Sequence, residues 1–218
     1  MPEPATLLAV GGGIFGLGTH LARRYFEIAK EVLDVVLGVI ALVLCLPILL
    51  VCAAIIKIHS KGPVFFKQVR AGKGNKPFVM YKLRSMYIDA EEASGAIWAT
   101  KNDSRVIKGC RWMRICHADE LPQLINVIKG EMSLVGPRPE RPEILDELEK
   151  VYPQVRKRLS VRPGITGLAQ VRSGYDTSVD AFRKKLESDL EYIEKRRWSL
   201  ELKILGSTMT KVIDSTAH

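Results

Sequence analysis

The sequence predicts an α+β chain that is mostly helical, and three observations carry that expectation. Val35 to Ile56 is an apolar run of 22 residues whose only polar side chains are two cysteines. Two β-rich stretches, Val64–Arg70 and Pro77–Arg84, flank the turn formers Gly72, Gly74 and Asn75, which is the pattern of a β-hairpin with a longer loop. Near the C-terminus, Val179–Arg197 reads as a charged helix and Trp198–Ile213 as an amphipathic one.

The apolar run admits two readings. As a straight helix it is about 33 Å long, enough to cross a bilayer. Pro47 bisects it, and each half, at about 18 Å, is too short to span. Arg23, Arg24 and Lys30 precede the run, and Lys57, Lys61, Lys67 and Arg70 follow it. Basic residues favour the cytoplasmic side, so a segment that enters and leaves on one face satisfies both flanks. The residues alone leave the single-pass anchor and the re-entrant helix both open.

Ahead of the run, Gly11, Gly13 and Gly16 fit G-x-G-x-x-G. A dinucleotide fold also needs a second strand ending in an acid about 20 residues later. The sequence there is helical in pattern, so the glycines are expected to form a flexible or membrane-touching leader. No secretory signal pattern is evident.

After the hairpin, residues 88–118 give no firm element. Asp119 is expected to cap a helix with Pro122 in its first turn, an apolar face at Leu121, Leu124, Ile125 and Ile128, and Gly130 as its end. Pro142–Leu159 reads as helix interrupted at Pro153, and "VRPGITGLAQV" as a loop with a strand-like piece.

A net charge of +9 points to phosphate-rich partners. No DNA- or RNA-binding motif is present, and the basic residues follow membrane-proximal segments, so no nucleic-acid partner is expected. Cys45, Cys52, Cys110 and Cys116 form neither a C-x-x-C pair nor a zinc spacing, which fits a reduced, cytoplasm-facing protein.

The chemistry concentrates in "HADELPQLINVIKGEMSLVGPRPE". Asp119 and Glu120 are adjacent acids at an expected helix start, where the helix dipole favours their ionised forms. An aspartate can attack phosphorus, and a second carboxylate can accept a proton or help hold Mg²⁺. Capping alone would also account for the pair. Arg138 lies between Pro137 and Pro139, which restrict the backbone that presents its guanidinium and suit two-pronged phosphate binding.

With these residues in view, the chain resembles the small monotopic phosphoglycosyl transferases, bacterial sugar transferases that start glycan assembly on polyprenyl phosphate. The resemblance runs from about Arg23 to the C-terminus. It rests on the apolar run with its central proline, "GPVFFKQVRAG", "YKLRSM", "NDSRV", "DELPQLINVIKGEMSLVGPRP", "VRPGITGLAQV" and "WSLELKIL", in that order. It implies a re-entrant membrane helix over 23–60 broken at Pro47 and a cytoplasmic catalytic domain over 61–218; residues 1–22 remain a leader with no counterpart in the family. That domain would combine the β-hairpin with amphipathic interfacial helices, on the cytoplasmic face of the bacterial inner membrane with both termini cytoplasmic. The activity implied is transfer of a sugar 1-phosphate from a UDP-sugar to undecaprenyl phosphate, with UMP released through an aspartyl intermediate and Mg²⁺ required. Asp119 and Glu120 take the catalytic positions, with Asp119 also the metal ligand. Lys82, Arg114, Arg138 and Arg162 take the substrate and phosphate positions. Membrane lipid is the surrounding partner, and a homodimer is compatible with the pattern. Cys116-His117-Ala118, Leu83, Ser104 and "VRSGYDTS" depart from the family pattern, and the last two bear on the sugar pocket.

Overall fold

A computed structural model describes residues 4–88, 103–172 and 179–213. Helix α1 takes in Pro4–His59, so the predicted leader and membrane segment form one helix. The glycines at 11, 13 and 16 therefore lie inside a helix, not at a strand-to-helix turn, and the dinucleotide reading fails. Pro47 sits within α1, which continues through it. A proline removes one helical hydrogen bond and can bend a helix without ending it.

One stripe of α1 faces protein. Lys30, Asp34, Cys52 and Ile56 are buried, while Val36, Ile40, Val43, Leu44, Leu50 and Val51 are exposed. Leu21–His59 is long and apolar enough to cross a membrane by length and composition. Gly38 brings α1 close to its neighbour, since a Cβ there would stand 3.3 Å from Val127 Cγ1.

The hairpin forms as expected. Strand β1 (Phe65–Ala71) pairs antiparallel with β2 (Pro77–Leu83), with Phe66 opposite Lys82 and Arg70 opposite Phe78. Alternation then puts Phe78, Met80 and Lys82 on one face of β2. Phe78 and Met80 pack there against Val127 and Met132, and Lys82 stands at the end of that row.

Helix α2 (Arg111–Ile115) lies in the stretch for which no firm element is predicted. A short 3₁₀ turn, Ala118–Glu120, follows it, and then α3 (Gln123–Ile128). Asp119 is therefore not the cap of α3. The residue ahead of that helix is Pro122, with no side-chain cap, and Asp119 is buried in the preceding turn. His117 reverses the chain into this turn with φ of 56°. Gly130, with φ of 73°, ends α3 in the left-handed conformation glycine adopts cheaply.

Strand β3 (Ser133–Val135) pairs parallel with β4 (Gly164–Thr166), a pairing the sequence did not announce. Between them run α4 (Pro142–Val151) and a 3₁₀ segment, Val155–Ser160, so the predicted interruption near Pro153 is present. The strand-like piece of "VRPGITGLAQV" is β4, but Leu168–Arg172 turns into helix α5. Helices α6 (Val179–Lys195) and α7 (Trp198–Ile213) close the chain close to the predicted bounds. Phe182 and Leu186 of α6 pack with Ala71, Leu145 and Val155, while Tyr192 and Ile204 pack with Val135, Val161 and Leu168.

Candidate active site

Four segments meet at the acid pair: the end of β2, helix α2, the 118–120 turn, and the Pro137-Arg138-Pro139 loop after β3. Glu120 is the centre of charge. Its Oε1 accepts from Lys82 Nζ at 2.8 Å and from Arg138 Nη2 at 2.5 Å, and its Oε2 accepts from Arg138 Nη1 at 3.1 Å. The arginine contact is thus the two-pronged geometry expected of a guanidinium on a carboxylate. Burial raises the Glu120 pKa, but Arg138 and Lys82 more than reverse this and hold the carboxyl well below its usual range. Lys82 is itself lowered by burial, with Glu120 partly restoring it.

Asp119 differs from its neighbour. It is 8% exposed, and its carboxylate Oδ2 accepts a long hydrogen bond from Ser85 Oγ at 3.4 Å. Burial and then the adjacent Glu120 raise its pKa, opposed by Lys82, Arg114 and Arg138. The expectation that a helix dipole keeps it ionised is not met, because the turn that holds it is three residues long and is not a helix start. The two acids are pushed apart in pKa, one firmly ionised and one held higher. That divergence is the mark of carboxylates with different tasks.

The structure brings Asp119, Glu120, Lys82, Arg114 and Arg138 together. Arg114 reaches the site from α2, donating from Nη1 to Ser85 Oγ at 3.4 Å. Ser85 was missed in the sequence, although its signal lay within "YKLRSM", three residues after Lys82. Arg162 lies elsewhere. Its Nη2 pairs with Glu31 of α1 at 3.2 Å, and its guanidinium lies against Gly130, beyond the far end of α3. Pro47 is exposed on α1.

Three glycines let the arginine loop approach. A Cβ on Gly164 would fall on the Gly136 amide, one on Gly167 on the Gly136 carbonyl, and one on Gly136 on the Arg162 carbonyl. The motifs "VGPRP" and "RPGITG" are therefore two sides of one close backbone contact.

For a divalent cation, the described residues offer no group of three or more His, Cys, Asp or Glu side chains. They offer the Asp119 carboxylate, engaged by a single long hydrogen bond, while Glu120 is committed to two cations. This donor set fits Mg²⁺, which commonly takes one or two carboxylates and completes its shell with substrate phosphates and water.

Comparison with known proteins supplies relatives of the chain. The chain is 41% identical over 197 residues to a UDP-N-acetylgalactosamine-undecaprenyl-phosphate N-acetylgalactosaminephosphotransferase of Aeromonas hydrophila, covering 90% of this chain and 46% of that protein. It is 42% identical over 191 residues to a UDP-glucose:undecaprenyl-phosphate glucose-1-phosphate transferase of Xanthomonas campestris pv. campestris, covering 87% and 39%. It is 40% identical over 200 residues to a protein of the same description from Caulobacter vibrioides, covering 90% and 74%. The chain thus spans less than half the length of the first two relatives and about three quarters of the third. The sequence model of the family described as bacterial sugar transferase matches residues 25–215, so the chain that builds this acid–arginine site belongs to the bacterial sugar transferases.

Proposed function

We propose that the chain transfers a sugar 1-phosphate from a UDP-sugar to undecaprenyl phosphate and releases UMP. The observation that carries this reading is the split dyad: Glu120 pairs directly with Lys82 and Arg138, while Asp119 beside it, among the described residues, accepts one long hydrogen bond from Ser85 and feels those cations only at longer range. In the first half-reaction an Asp119 oxygen forms a bond to the sugar-bearing phosphorus. The bond from that phosphorus to the bridging oxygen breaks, and UMP leaves with the electron pair. In the second, an oxygen of undecaprenyl phosphate attacks the same phosphorus and the Asp119 carboxylate is released. Lys82, Arg114 and Arg138 supply positive charge to the phosphoryl oxygens, which is where catalysis of such transfers resides. A carboxyl held as low as Glu120 is a poor proton acceptor, so its role is to orient Lys82 and Arg138. Mg²⁺ bound through Asp119 would add charge compensation for the diphosphate.

The membrane reading belongs to the same proposal. Ser133 Oγ donates to Asp34 Oδ2 at 2.6 Å before the apolar run, and Cys52 and Ile56 at its end pack with Leu83, Ile107 and Met113. Both flanks of the run thus meet the part of the chain that carries the acid pair. This supports a helix that enters and leaves on one face, the cytoplasmic face of the inner membrane, with Pro47 as the point at which it would bend.

The test is UMP release by the detergent-solubilised chain across a panel of UDP-sugars, with undecaprenyl phosphate and Mg²⁺. Release with at least one sugar, dependent on Asp119, is expected. Silence across the panel with a folded protein would overturn the assignment.

A further inference from the structure

The loop that carries Arg138 is tied by four successive carbonyls, each to a different donor. Pro137 O accepts from the Gly164 amide at 2.9 Å, and Glu140 O from the Ala71 amide at 3.0 Å. The two carbonyls between them are held by side chains. Arg158 Nη2 donates to Arg138 O at 2.9 Å, and Arg70 Nη1 to Pro139 O at 3.0 Å. Arg158 is 5% exposed and Asp189, on α6, is 1% exposed. Arg158 Nε donates to Asp189 Oδ2 at 2.7 Å, and its guanidinium lies 5.6 Å from the centre of the Phe182 ring. Burying such a pair is costly, and removing either partner strands a charge. Neither residue is among the groups that the dyad gathers, and neither was singled out in the sequence.

We propose that Arg158, fixed by Asp189, is a positioning residue for Arg138: it holds the Arg138 carbonyl so that the guanidinium meets Glu120 and the substrate phosphate in register. The proposal rests on the reading of Arg138 as a phosphate-binding group. Two prolines remove amides from this loop, so side-chain donors take over the work of backbone pairing. Arginine suits the task because one nitrogen serves Asp189 while another serves the carbonyl, which a single ammonium cannot do in the same geometry.

The test uses Arg158→Lys in the full chain, with Asp189→Asn as the second variant should the first fail to fold. Amide hydrogen exchange is followed over residues 134–141 and at the Ala71 and Gly164 amides that pair with the loop, and UMP release is followed in wild-type and Arg138→Ala backgrounds. Faster exchange is expected at the amides that the loop's pairing protects, Gly136 onto Thr166 O, Gly164 onto Pro137 O and Ala71 onto Glu140 O, with a loss of about tenfold in kcat/KM in the wild-type background. In the Arg138→Ala background the same substitution should cost less than about twofold, because a residue acting through Arg138 has nothing left to position. Equal losses in both backgrounds, no loss in the wild-type background, or unchanged exchange in the loop would each overturn the proposal. Absence of UMP release by the wild-type chain defeats the functional reading instead, and the exchange measurement still decides the positioning.

Discussion

Arg138 grips Glu120 with both ends of its guanidinium, Nη2 to Oε1 at 2.5 Å and Nη1 to Oε2 at 3.1 Å, while Lys82 shares Oε1 at 2.8 Å. One carboxylate therefore holds two cations in place before any phosphate arrives. A diphosphate entering the site competes with Glu120 for groups that are already oriented, which lowers the cost of ordering them.

Glu120→Gln keeps the shape of this arrangement and removes its charge. Because the folded pKa of Glu120 lies well below the ordinary glutamate value of 4.5, its contribution to stability is present above that value and is lost as pH falls through the depressed one. The variant should be destabilised at pH 7 by about 3 kcal/mol, since two cations are left facing each other. Thermal unfolding across pH checks this. A Tm equal to wild type at pH 7 would show that the pairs contribute nothing net.

Arg138→Lys retains a positive charge without the planar fork. Catalytic efficiency should fall at least about tenfold, because lysine cannot make both contacts at once. Steady-state UMP release measures it, and wild-type kinetics would reduce Arg138 to a loop residue.

Local signals were the legible ones. The hairpin was announced by β-branched and aromatic residues around Gly72 and Gly74, and the end of α3 by Gly130. Arg138 was readable because prolines on both sides narrow its freedom. Non-local contacts were not readable. Nothing near Ser133 says that it pairs with Gly164, and nothing near Arg162 says that its partner is Glu31 of α1. The Asp119 cap was misread for a related reason. An Asp ahead of an apolar stretch looks like an N-cap, but burial beneath α2 and β2 is a tertiary fact that recast it as a turn residue with a raised pKa.

That raised pKa has a consequence for stability opposite to that of Glu120. A carboxyl whose folded pKa exceeds its unfolded one favours the fold below the unfolded value and opposes it as pH rises through the folded value. Above the unfolded value, Asp119 therefore costs stability, whether it is held charged or held protonated. Asp119→Asn should raise Tm at pH 8, and the difference should shrink toward pH 4 as the wild-type carboxyl is protonated. A lower Tm for Asp119→Asn at pH 8 would mean that Lys82, Arg114 and Arg138 outweigh burial.

The re-entrant reading makes a prediction about access. With Cys45, Cys52, Cys110 and Cys116 replaced, a cysteine introduced near the N-terminus should be labelled from the cytoplasmic side. Pro47→Ala restores the missing amide and lets the run straighten to about 33 Å, so some molecules should become labelled from the periplasm. Periplasmic labelling of the chain that retains Pro47 would instead establish a spanning helix.

The covalent intermediate is the sharpest consequence of the split dyad. A carboxylate is a nucleophile that needs no base once it is ionised, and Asp119 is the acid of the pair not already occupied by Lys82 and Arg138. Its raised pKa keeps it from being stabilised as a resting anion, and an anion less stabilised at rest loses less on forming a bond to phosphorus. Incubation with a UDP-sugar and no lipid acceptor, followed by an acid quench and peptide mass spectrometry, should reveal a phosphosugar on the peptide bearing Asp119. Asp119→Asn should abolish both the adduct and UMP release, whereas Glu120→Gln should still form the adduct more slowly. Addition of undecaprenyl phosphate should discharge the adduct at a rate compatible with turnover. If no adduct accumulates and UMP release requires both substrates together, transfer is direct and in line, and Asp119 serves the reaction as a ligand for Mg²⁺ and not as its nucleophile.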